Sequence, residues 1–180
     1  MPRKAEVTKE EMIEGAFRLV RERGWQALTA RSLAAELGCS TQPVMYRFPS
    51  LAELREETYR RADRFHSEYL LASDGLMDLG LRYIRFAAEE TNLFRFLFQS
   101  GHFQNVSVED MIRMPEAEGV LAAAAEGMEM PVEEIVPVFE ILFAAVHGYA
   151  DLIANNAVKY DEKEICEKLA ILAEALTGSK

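Results

Sequence analysis

Apolar positions recur along this chain at intervals of three and four residues, the period of helices that bury one face. The first stripe is Met12, Ile13, Ala16, Phe17 and Val20. Thr8-Lys9-Glu10-Glu11 opens it as a capping box, Gly24 ends it, and Trp25 supplies the apolar residue expected just past such an end. Two much shorter stripes follow. Leu33, Ala34 and Leu37 lie between a capping Thr29 and a terminating Gly38, and Val44 and Phe48 follow a second capping position at Ser40. Pro43 falls in the first turn of that third helix, where a missing N–H has no partner to lose. Ser50 then caps a long helix running through Leu54, Tyr59 and Ala62 to Leu71, broken by Ser73-Asp74-Gly75.

A further helix is expected from Leu76 to Glu90, with Leu79, Tyr83, Phe86 and Ala87 on one side. The segment Leu93 to Phe98 alternates as a strand would, but no second strand exists to pair with it, so helix is expected there too. Gly101 to Glu109 reads as a loop, followed by a short helix and an alanine-rich one ending near Gly127. From Pro131 to Asn155 apolar residues nearly encircle the helix, which requires burial on several sides, and Pro137 should kink or restart it. The last helix, Asp161 to Leu176, carries a seam suited to antiparallel packing. Two such helices from each of two chains would form a four-helix dimer interface through Tyr149, Leu152, Ile153, Ile165, Leu169, Leu172 and Leu176. The expectation is an all-α protein: a three-helix head in residues 1–50, a linking helix over about 51–71, and a helical body in residues 72–180.

The two short helices of the head have the spacing of a helix-turn-helix, whose second helix enters a DNA major groove. Its outer face would offer Thr41, Gln42, Tyr46 and Arg47. Glutamine pairs with adenine, arginine with guanine or phosphate, and threonine with phosphate or a thymine methyl. Thr29, Arg31 and Ser40 stand at the helix starts beside it, and Arg3 and Lys4 form a basic arm ahead of it.

Net charge of −10 conceals an asymmetry: residues 1–50 balance at +2 and the remaining 130 at −12. A weakly basic head on an acidic body fits a DNA-facing module that holds random sequence only loosely. Cys39 and Cys166 are too few for a disulfide framework, and His66 and His102 lack metal-ligand spacing, so no metal and no cofactor is expected. No phosphate-cradling loop or nucleophile motif marks an enzyme, and the alternative reading is an all-helical small-molecule-binding protein or enzyme whose helix-turn-helix is coincidental. No apolar run is expected to span a membrane, which makes the cytoplasm the expected location.

With Gly24-Trp25-Gln26-Ala27-Leu28-Thr29, Arg31, Leu33-Ala34, Leu37-Gly38, Ser40, Phe48-Pro49-Ser50 and Leu54 in place, the first 55 residues or so resemble the TetR family of bacterial transcriptional regulators. Three positions depart from the family pattern, one of them Arg47, which stands where a histidine is usual. The other two are Met45, where a tyrosine is usual, and Leu51, where a lysine is usual, both normally phosphate contacts, so Tyr46, Arg47 and Arg55 would have to replace them. Tyr83-Ile84-Arg85-Phe86-Ala87, Leu93-Phe94, Leu97-Phe98 and Val146-His147-Gly148-Tyr149-Ala150 resemble, less specifically, one subgroup of TetR ligand domains. The resemblance implies a homodimer that binds a double-stranded DNA operator, repressing transcription until a small-molecule effector enters the body. Candidate pocket residues are Met77, Tyr83, Phe94, Phe98, Met111, Phe143 and His147, with Phe96, Phe103 and Met114 adding to the aromatic and thioether supply.

Overall fold

The computed structural model describes residues 7–177, and these form ten α-helices with no strand among them. Helix α1 (Lys9–Arg23) begins with the predicted box: Thr8 Oγ1 accepts from Glu11 N, and the Glu11 carboxylate accepts from Thr8 N. Helices α2 (Ala30–Glu36) and α3 (Thr41–Arg47) form the helix-turn-helix. Gly38 sits between them at φ 61°, and two backbone bonds close α2 around it, Gly38 N to Ala35 O at 3.2 Å and Cys39 N to Ala34 O at 2.9 Å. Gly15 allows α1 to lie against α2: a Cβ there would stand 2.9 Å from Leu37 Cδ2 and 3.2 Å from Leu33 Cδ1. Met12, Val20, Leu28, Leu33, Val44 and Phe48 fill the core of this head.

Ser40 occupies the start of α3 as expected, but its hydroxyl makes no capping bond. Pro43 explains this. It stands at the third helical position, whose N–H is what a serine cap ordinarily receives, and proline has none.

Helix α4 (Leu51–Leu71) leaves the head and enters the body, which consists of α5 (Leu76–Glu89), α6 (Thr91–Gln99), α7 (Val108–Ile112), α8 (Glu118–Gly127), α9 (Val132–Ala154) and α10 (Glu162–Thr177). The aromatic segment is helical, as the lack of a pairing strand required. Helix α7 starts inside the expected loop because Ser107 and Asp110 make a capping box of their own. Helix α9 continues through Pro137, which lies on its exposed side, where water can stand in for the missing backbone donor. Contrary to the sequence expectation, α9 is long and apolar enough to cross a bilayer by length and composition alone. In the fold it lies against α5, α7 and α8.

One apolar core runs from the head, through Leu54, Tyr59 and Ala62 of α4, to Phe86, Phe94 and Ile153 of the body. A smaller one joins α7, α8 and the first half of α9. Head and body therefore share packed side chains, and α4 is built into both.

Candidate DNA-reading face and effector cavity

Val44 and Phe48 point inward from α3, which turns Thr41, Gln42, Met45, Tyr46 and Arg47 to the surface. Tyr46 is 81% exposed, far more than a phenol ring without a partner surface usually is. Arg31 and Ser40 are exposed beside this face. Thr29 is exposed as well, but its hydroxyl is occupied in capping α2: Thr29 Oγ1 accepts from Ser32 N at 3.0 Å, and Ser32 Oγ accepts from Thr29 N at 2.9 Å. Lys4 lies outside the described residues. Met45, Arg47 and Leu51, the three departures from the family pattern, are all at the surface. Arg55 is not placed to take over the phosphate contacts that Met45 and Leu51 lack. Its guanidinium lies over the Trp25 ring, 5.5 Å from the centroid, with Nε buried.

Helix α4 is fixed to the head by Lys9 to Glu57 at 2.6 Å and by Arg61, which pairs with Glu14 and lies 4.4 Å over the Phe17 ring. The body makes a second attachment. Glu90, at the α5–α6 junction, pairs with Arg21, and Asn92 Nδ2 donates to Arg21 O at 3.0 Å.

A half-open cavity of about 330 Å3 lies between α4 and the body. Met77, Tyr83, Phe98, Met111 and Phe143 line it, together with Phe103 and Met114. Phe94 does not; it is fully buried in the shared core, as is Phe96. His147 stands behind the wall, its Nδ1 hydrogen-bonded to the Tyr83 hydroxyl at 2.8 Å. Burial raises the Tyr83 pKa well above the ordinary phenol value and lowers that of His147, so the pair is uncharged.

The α4 wall was not read from the sequence. Tyr59, Asp63, His66, Ser67 and Leu70 recur at helical spacing on the face that lines the cavity. Polar residues on the inward stripe of an otherwise amphipathic helix were the available signal. His66 is 5% exposed, with Phe86, Tyr83 and Phe98 rings 4.7–5.6 Å from its own. Burial, followed by the field of His147, pushes its pKa down to about 3, so the imidazole is neutral. Its Nε2 is buried without a hydrogen-bond partner, a condition that costs roughly 1–3 kcal/mol.

Residues 12–58 match the family model for bacterial regulatory proteins of the tetR family, and residues 76–172 match the tetracyclin repressor-like C-terminal domain. The chain belongs to the TetR family. It is a DNA-binding transcriptional regulator with a family head and a family body. No curated protein sequence gives a significant match. Among solved structures, a TetR family member from Streptomyces coelicolor A3 is 22% identical with a TM-score of 0.56, covering 91% of this chain and 96% of its own. A TetR-like transcriptional regulator from Rhodococcus sp. RHA1 is 16% identical with a TM-score of 0.61 over the whole of both chains. The multidrug binding protein EbrR, solved in complex with ethidium, is 20% identical with a TM-score of 0.56, covering 94% of this chain and 99% of its own. At these identities the likeness is one of fold.

The predicted interface residues divide into two groups. Ile153, Ile165 and Leu169 are buried in the core of their own chain and are not available to a partner. Tyr149, Leu172 and Leu176 are half-buried, and Leu152 is 44% exposed. Ile141 and Ile171, which the seam pattern passed over, are 51% and 66% exposed.

Proposed function

We propose that this TetR family regulator is a homodimeric repressor, released from a near-palindromic operator when a small molecule enters the body. One observation carries the ligand response. A single helix, α4, forms a wall of the cavity through Tyr59, His66 and Leu70 and is fastened to the head through Glu57 and Arg61. A ligand that displaces the α4 wall moves the head, but it shifts the equilibrium only by its differential affinity for the two arrangements. EbrR, with ethidium bound, is a precedent for small-molecule binding by a protein of this fold. Action on chromosomal DNA places the protein in the cytoplasm.

Each head would set α3 in a major groove, with half-sites about 34–36 Å apart or a multiple of that. Gln42, Thr41 and Arg47 are the reading residues, with Tyr46 and Arg31 on neighbouring backbone and Thr29 positioning α2. The dimer would form across the exposed apolar side of α9, where Ile141, Ala145, Gly148 and Leu152 share one face, joined by α10.

Gln42→Ala and Arg47→Ala test the reading face. Each is expected to weaken binding to an operator recovered from genomic DNA by about 1–3 kcal/mol. A base contact relaxes preference at one base pair, whereas a phosphate contact weakens all sequences alike and flattens the salt dependence. Fluorescence anisotropy against a set of single-base operator variants distinguishes the two. Unchanged affinity in both variants would remove these residues from the interface.

A further inference from the structure

Within the head, the described residues leave two large apolar side chains exposed, Met45 at 63% and Tyr46, and both stand on α3. The other large apolar residues from Val7 to Phe48 are buried or half-buried. Tyr46 ends in a hydroxyl that can bond to a phosphate oxygen. Met45 has no such group: its thioether is uncharged, donates nothing and accepts weakly. Val44 points into the core of the head. The helical turn then sets Met45 beside Thr41, four residues back, and Gln42, three back, and both of these are exposed. Met45 is therefore part of the same surface as the side chains that offer hydrogen bonds to base edges. Among those edges the major groove displays donors, acceptors and one apolar group, the C5 methyl of thymine.

Building on the reading of α3 as the helix that enters the groove, we propose that Met45 is a specificity-determining residue. Its side chain packs on the C5 methyl of one thymine in each half-site, beside the base pair that Gln42 reads. The unbranched, polarizable thioether adapts its shape to that methyl, and contact removes both apolar surfaces from water. Position 45 then contributes sequence information where a phosphate contact would contribute none.

Deoxyuridine lacks the thymine methyl and keeps its base pairing. In an operator recovered from genomic DNA, each thymine is replaced in turn, in both half-sites together, and binding to the full-length protein is measured by fluorescence anisotropy. One replacement, within about two base pairs of the pair whose preference relaxes in Gln42→Ala, is expected to weaken wild-type binding. The loss should be roughly fourfold per half-site and so about fifteenfold overall, the effect of one buried methyl in each. In Met45→Ala the thymine and deoxyuridine forms of that position should bind within about twofold of each other. Met45→Leu, apolar and similar in volume, should restore the discrimination, and Thr41→Ser, which removes the neighbouring methyl, should leave it intact. A wild-type protein indifferent to every thymine methyl overturns the assignment. So does a discrimination that persists in Met45→Ala or that Thr41→Ser removes equally. Each of these leaves α3 standing as the reading helix, because the unmodified operator is titrated alongside. Failure of the wild-type protein to bind any operator overturns both.

Discussion

Replacing Ile141 and Leu152 together by glutamate is expected to convert the protein to monomers. The two residues lie three turns apart on one side of α9 and are exposed in the single chain. Their own fold makes little use of them, so the substitutions should leave the melting behaviour of the isolated subunit nearly unchanged. In a twofold interface each substitution appears twice, placing four carboxylates where apolar surface meets apolar surface. Leaving even one buried charge without a partner costs about 3–5 kcal/mol, enough to raise the dimer dissociation constant by roughly two to three and a half orders of magnitude. Sedimentation velocity at micromolar concentration measures this directly. Operator affinity should fall with dimerisation, because one head reads only half a site. Ile171→Glu on α10 extends the test to the second helix. Ile165→Glu should behave differently: Ile165 is buried within the chain, and charging it should unfold the body rather than divide the dimer. A double variant of α9 that remains dimeric would move the interface elsewhere.

The second large effect is a loss of stability in acid that traces to His66. In the unfolded chain the imidazole titrates near 6.5, while in the fold it is held to about 3. Between these values the unfolded state binds a proton that the folded state does not. Stability from this group is therefore complete above the unfolded value and is lost as pH falls through the window toward 3. Below that the folded imidazole also protonates and the loss stops. The slope approaches about 1.4 kcal/mol per pH unit within the window. His147, also shifted downward, adds in the same direction, as do carboxylates such as Asp78, whose pKa is lowered by its hydrogen bonds from Arg82 and the Asp74 N–H. The difference between the protein and His66→Phe isolates the His66 share. Urea denaturation at a series of pH values, at one protein concentration, should give a shallower acid slope for the variant. Parallel slopes would mean that His66 is not buried as a neutral group.

The head was legible because its signals are local. A capping threonine, a glycine at positive φ and a box such as Thr8–Glu11 involve residues three to five apart, and the sequence displays them together. Ser40 shows the limit of local signals: the serine marks the start of α3, yet Pro43 removes the N–H that its hydroxyl would receive. The body was legible as helices and poorly legible as a site. Periodicity identifies the buried side of a helix without saying whether that side meets core, cavity or a second chain. Ile153, Ile165 and Leu169 share a pattern with Leu152 and Tyr149, and only three-dimensional packing separates those that close the core from those left outside it. Phe94 and Phe98 are one turn apart on α6, yet one is sealed into the core and the other faces the cavity. His66 has no metal-ligand spacing to mark it, and the rings that surround it come from α5 and α6, distant in sequence.

The most direct measurement of the central claim is selection of genomic DNA fragments on the immobilised protein at physiological salt, followed by sequencing. The recovered fragments are expected to share a near-palindrome whose half-sites lie about one helical turn, or a multiple of it, apart, with enrichment weakened and preference relaxed at one base pair of each half-site in Gln42→Ala. Recovery of no common sequence, or of one without twofold symmetry that Gln42→Ala binds equally well, would contradict a dimeric reader built on α3.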